Sequence, residues 1–136
     1  VVEAGGEPSI GSENFEVRRL WSLQRLAESL STIEVYFDGR LAEMSIISRD
    51  EDPSGFSEGF VDFPRSIPTA EVAAFYKQID SATTRVSLRS KGMNVAQVAE
   101  SLGGGGHYRA AGLTFSGTLE ETKIAIRAAL ASLMEG

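Results

Sequence analysis

The chain has 136 residues, is 42% hydrophobic and 24% charged, and carries a formal net charge of −6 with one histidine and no cysteine. That length and composition fit one globular domain with a buried core. The missing cysteine excludes disulfides, thiolate metal sites and cysteine nucleophiles and is compatible with a cytoplasmic setting. The acidic balance argues against bulk electrostatic binding of long nucleic acid, and no apolar run reaches membrane-span length, so no membrane partner is expected.

Residues 1–14 read as a flexible lead or linker, because they mix Gly, Glu and Ser without a period; the start on Val1 suggests a segment of a longer protein. The domain proper is expected over residues 15–136. Over residues 15–30, Val17, Leu20, Trp21, Leu23, Ala27 and Leu30 recur near helical spacing while Arg18, Arg19, Gln24, Arg25 and Glu28 fill the other side, which predicts an amphipathic helix. Ile33, Val35 and Phe37 alternate with polar neighbours, and Asp38-Gly39 leads to a second apolar run over 41–47, so a hairpin is predicted. Residues 49–57 read as an acidic loop, and residues 71–79 as a strand on the alternation of Val72, Ala74 and Tyr76. Residues 85–90 alternate clearly: Val86 and Leu88 face one side, and Arg85, Ser87 and Arg89 the other. A short helix over 94–102 ends at glycine, a strand follows over 113–116, and Thr118-x-x-Glu121 opens a last helix through a capping box, with Leu119, Ile126, Leu130 and Leu133 as its apolar stripe. The fold class is α/β, or mixed α+β: a single domain with one central mixed sheet flanked by helices.

The segment Gly103-Gly104-Gly105-Gly106-His107-Tyr108-Arg109-Ala110-Ala111-Gly112 is the most informative stretch. Four adjacent glycines forfeit packing and lose much entropy on ordering. They let backbone N–H groups approach an anion closely, with His107 and Arg109 at the exit to add charge. A linker is the competing reading, but the run lies between an apolar helical pattern and an apolar strand rather than in a polar, Ser-rich stretch. Between residues 81 and 117, Arg85, Arg89, Lys91 and Arg109 stand against Glu100 alone, a local +3 inside an acidic chain. Such a pocket suits a small anionic ligand.

Val86-Ser87-Leu88-Arg89-Ser90-Lys91-Gly92, taken with the Gly-Gly-Gly-Gly-His-x-x-Ala-Ala-Gly run, resembles the DHHA1 domain of the DHH/DHHA1 phosphoesterases, in particular the oligoribonuclease and pAp-phosphatase branch. Glu58-Gly59-Phe60-Val61 and Pro64-Arg65-Ser66-Ile67 extend the likeness to roughly residues 15–135. The resemblance implies a division of labour in which an N-terminal DHH domain of the same polypeptide holds manganese and hydrolyses, while the DHHA1 domain binds nucleotide and phosphate. It implies phosphate contacts from Arg89 and His107 over the Gly103, Gly104, Gly105 and Gly106 backbone, with Ser87 and Ser90 as weaker candidates. Tyr108 and Arg109 occupy variable positions of the motif, so Arg109 stands on its charge alone.

No Asp-His-His is present and there is one histidine, so no catalytic residue, metal ligand or cofactor is assigned to this chain. The expected partners are short oligonucleotides or nucleoside phosphates, the DHH domain, and a second copy as an allowed homodimer. Polyphosphate or a cyclic-dinucleotide product are alternative substrates, and a free-standing nucleotide or nucleic-acid binder is the alternative class. Two motif likenesses are set aside. Asp50-x-Asp52-x-Ser54-Gly55 resembles a calcium loop but has Pro53 inside and Val61 where a bidentate Glu belongs. Gly55-x-Ser57-x-Gly59 resembles a nucleophile elbow, yet no strand is predicted before it.

Overall fold

In the computed structural model, which describes residues 12–135, the alternation of side chains along the strands decides the architecture. Six strands, β1 (Glu34–Tyr36), β2 (Leu41–Ile47), β3 (Val72–Asp80), β4 (Thr83–Ser90), β5 (Gly105–His107) and β6 (Ala110–Ser116), form one sheet in the order β1-β2-β3-β4-β6-β5. β2 and β3 run parallel and the other neighbouring pairs antiparallel, which makes the sheet mixed as expected. Four helices accompany it: α1 (Ser12–Leu30), α2 (Asp62–Arg65), α3 (Val95–Ser101) and α4 (Leu119–Glu135). Residues 1–11 of the expected lead lie outside the described residues. No helix among the described residues is long and apolar enough to cross a membrane.

One face of the sheet is covered across its central strands. Val72, Tyr76, Val86, Leu88, Ala111 and Leu113 leave the strands on the same side and pack against α3 and α4 through Val95, Val98, Ile126 and Leu130. Each large apolar side chain so buried contributes about 1.5–3 kcal/mol, which makes this face the main source of cohesion. The helix ends are built locally. Asn94 Oδ1 accepts from the Gln97 amide at 3.2 Å to start α3. The end of α3 is a Schellman cap in which Gly103, at φ +91°, donates to the Glu100 carbonyl at 3.2 Å and Gly104 to the Ala99 carbonyl at 2.7 Å. Thr118 and Glu121 form the expected capping box, with the Thr118 amide donating to Glu121 Oε1 at 2.8 Å and the Glu121 amide to Thr118 Oγ1 at 3.2 Å. Thr118→Ala is expected to lower the unfolding free energy by ~1 kcal/mol, read as a lower urea midpoint at unchanged slope.

The opposite face is covered over β2 and β3 only. Met44, Ile46, Ala73 and Phe75 pack there against Phe60 and Val61, with Leu26 of α1 and Phe56 beside them. Here α1 departs from expectation. Leu23 is 53% exposed, while Arg25, expected on the solvent side, is 3% exposed. The cause is a non-local pairing: the Arg25 guanidinium forks onto Asp52 at 3.1 and 3.2 Å and donates to the Ile47 carbonyl at 2.7 Å, so the helix turns this polar residue inward. Ser29 adds a 2.7 Å bond to the Ser45 carbonyl. Edge-to-face contacts run from Trp21 through Phe56 and Phe60 to Phe75 at 5.5–5.7 Å and fasten the 49–61 segment to the sheet.

Candidate functional site

Among the described residues no helix lies over the remaining half of that second face, on β4, β6 and β5, and its residues fall into rows set by strand register. One row runs Ala73, Arg89, Ala110, His107; the next runs Phe75, Ser87, Gly112, Gly105; a third pairs Lys77 with Arg85 and Thr114. Residues directly opposite one another share a face, so Arg89 and His107 stand on either side of Ala110, with backbones ~10 Å apart across two strand spacings. Beside them Gly112 and Gly105 make a floor without side chains. A methyl group at Gly105 would meet nothing within 4 Å. This is open backbone beside the row that carries a guanidinium and an imidazole.

The covered half supplies a wall. A cleft of about 280 Å³ lies between Gly55, Ser57, Glu58 and Gly59 of the tethered segment and Lys77, Arg85, Ser87 and Arg89 of the sheet. Gly55 and Gly59 sit in a run of turns that starts several residues after β2 ends, with no strand leading directly into them, so the resemblance to a nucleophile elbow has no structural counterpart. Among the described residues, Lys77, Arg85 and Arg89 enter no ion pair, although Arg25, Arg40, Arg49, Arg65, Lys123 and Arg127 all do. Arg89 Nη1 donates to the Leu88 carbonyl at 2.9 Å, and the Lys77 ammonium lies 4.9 Å from the Phe56 ring centre. Burial holds the Lys77 ammonium below the usual lysine range, with Arg85 and Arg25 acting in the same direction and Asp52 opposing them. Free guanidinium forks on an otherwise acidic molecule are suited to oxyanions.

The other sequence-derived candidates divide. Ser87 shares the face of Arg89 and lines the cleft. Ser90 does not: it is buried on the α3 side, and its hydroxyl donates to the Met93 carbonyl. The amides of Gly103 and Gly104 are taken by the α3 cap, so these two of the four glycines expected as a cradle cannot offer their N–H groups to an anion. Gly105 and Gly106 belong to an edge strand rather than a loop, and Gly106 at φ +145° lies against the Ala110 and Ala111 backbone. Tyr108 and Arg109 form a two-residue hairpin tip with exposed side chains, held down because the Val95 amide donates to the Tyr108 carbonyl at 2.9 Å and the Ser90 amide to the Arg109 carbonyl at 3.0 Å. Lys91 turns away toward the Ile67 and Pro68 carbonyls.

Lys77 and Arg85 were not picked out by sequence reasoning as site residues. Arg85 had a usable signal, since its spacing of two and four from Ser87 and Arg89 puts it on their side. Lys77 depends on register with another strand. Among the described residues no group of three or more His, Cys, Asp or Glu side chains is placed to hold a metal ion, so they do not fit a manganese site.

The model of the family described as the DHHA1 domain matches residues 46–136. The bifunctional oligoribonuclease and PAP phosphatase NrnA of Thermus thermophilus is 34% identical over 93 residues, which is 68% of this chain and 28% of that protein. The crystal structure of an exopolyphosphatase-related protein from Bacteroides fragilis superposes with a TM-score of 0.75 at 31% identity, covering 85% of this chain and 36% of that one. A pGpG-specific phosphodiesterase, PggH, from Vibrio cholerae shares the fold, with a TM-score of 0.61 at 15% identity over 90% of this chain and 42% of its own. The chain therefore spans less than half the length of each of these relatives.

Proposed function

The chain belongs to the DHHA1 domain family, and on that premise we propose that it is the substrate-binding part of a phosphoesterase acting on short RNA oligonucleotides or on pAp, holding a ligand phosphate between Arg89 and His107. The observation that carries this reading is the register row Arg89, Ala110, His107 on a stretch of sheet that no helix covers among the described residues, beside a glycine floor. The named activities of the Thermus thermophilus relative support the substrate class. Hydrolysis belongs to a DHH domain outside these residues, which would hold manganese. What this chain contributes is grip and orientation: planar guanidinium donors for phosphate oxygens, imidazole on the far side, and a floor low enough for the ligand to lie against backbone.

Isothermal titration with pAp tests it. Arg89→Ala is expected to weaken binding by roughly 10- to 150-fold, the loss of a charge-assisted contact worth about 1.5–3 kcal/mol, with the circular dichroism spectrum unchanged. Unchanged affinity in the variant, or a flat titration of the parent chain at millimolar ligand, would contradict the reading. Tight binding of long single strands that collapses with salt would instead identify a nucleic-acid module.

A further inference from the structure

We propose that Lys77 and Arg85, which line the same cleft as Arg89, form a second anion subsite, so that one ligand is held by two phosphate groups at once: a proximal one at Arg89 and His107, where the cleft opens onto the bare sheet, and a distal one at Lys77 and Arg85. This deepens the reading above and rests on it.

Lys77 and Arg85 are directly opposed across β3 and β4. Like charges in that relation repel at short range and destabilise the sheet. The chain has 19 carboxylate side chains to 13 cationic ones, so partners are in surplus, yet among the described residues neither cation has an ion-pair partner. Asp52, whose charge reaches Lys77, is already committed to the Arg25 guanidinium and the Arg49 amide. Glu58, on the facing wall, is the sole acidic residue lining the cleft among the described residues, and it is exposed. An anion seated between Lys77 and Arg85 would relieve the repulsion that the protein's own carboxylates leave in place.

The geometry separates this position from the first. Arg85 and Arg89 are four residues apart on β4, a backbone distance of ~13 Å, with Ser87 between them on the same side. Arg89 is anchored on the Leu88 carbonyl and Lys77 over the Phe56 ring, so each of these cations has its own local anchor. One phosphate engages one end; a nucleoside carrying a phosphate at both its 5′ and 3′ positions, or a phosphorylated dinucleotide, engages both. The ligand class is therefore a bisphosphorylated nucleoside or short oligonucleotide rather than a monophosphate.

Calorimetric titration of the chain with pAp and with the two adenosine monophosphates tests this. The parent chain is expected to favour pAp by roughly 10- to 100-fold. The double variant Lys77→Met with Arg85→Gln should bring pAp down to the monophosphate affinity and leave the monophosphates unchanged, whereas Arg89→Ala weakens all three. Arg85→Gln alone, at an exposed side chain, should show the same loss of preference in smaller measure without touching the fold. Equal affinity of the parent for pAp and monophosphates, or a preference that survives both variants, overturns the second subsite and leaves the first intact. Failure of every ligand to bind the parent overturns the first reading and the subsite with it.

Discussion

Replacing Glu43 with alanine is expected to lower the unfolding free energy by roughly 3 kcal/mol or more. Glu43 projects from β2 onto the covered side and is 2% exposed. It accepts from the Tyr76 hydroxyl at 2.7 Å and from the Arg127 guanidinium at 2.6 and 3.2 Å, while that guanidinium also lies 3.9 Å from the Tyr36 ring centre. Burial, then the Glu43 charge, pushes the Tyr76 phenol well above its usual range, so it remains a neutral donor. Alanine would leave a fully buried hydroxyl and a mostly buried guanidinium without their acceptor, and the cost comes chiefly from those orphans. Glu43→Gln keeps an acceptor and should lose less. Urea denaturation measures both, and a loss below ~1 kcal/mol for Glu43→Ala, the scale of an exposed pair, would contradict the closed network. Ligand affinity of the folded variant should be unchanged, because Glu43 lies on the side of the sheet opposite Arg89.

The second large effect falls on the glycine run. Gly106→Ala is expected to cost about 3 kcal/mol or more, from a backbone angle that side chains rarely adopt together with overpacking. A methyl group there would lie 2.6 Å from the Ala110 carbonyl oxygen and 2.6 Å from Ala111 Cα, both main-chain atoms that cannot swing aside. Gly105→Ala next to it meets open space and should leave the unfolding midpoint nearly unmoved, while raising the floor beneath a bound ligand. Thermal or urea unfolding of the two variants, followed by pAp titration of the stable one, separates packing glycine from site glycine. Equal destabilisation by both would contradict the distinction.

That contrast explains what could be read in the sequence. The motif singled out ten residues, but adjacent glycines carry no pattern that says which serve a helix cap and which a strand. A three-residue edge strand of Gly105, Gly106 and His107 has no side-chain preference for extended structure; its pairing with β6 makes it a strand. Local chemistry was legible wherever it was local. The Thr118-Glu121 box caps α4 as its spacing indicates, α3 ends at glycine, and the alternation at 85–90 sorted Arg85, Ser87 and Arg89 from Val86 and Leu88. The same parity puts Ser90 on the buried side, three residues from Ser87. Pairings over long sequence separations were not legible. Arg25 reaches Asp52 across 27 residues, and Lys77 meets Arg85 only once two strands are in register.

Phosphate binding is proposed for the uncovered half of the sheet. Two-dimensional amide NMR of the chain titrated with pAp measures this residue by residue. Arg89, His107, Gly105 and Gly112 are expected to shift with one common saturation curve, while Val98, Ile126 and Leu130 on the covered side stay in place. Saturable shifts confined to the α3 and α4 side, or none near Arg89 and His107, would contradict it.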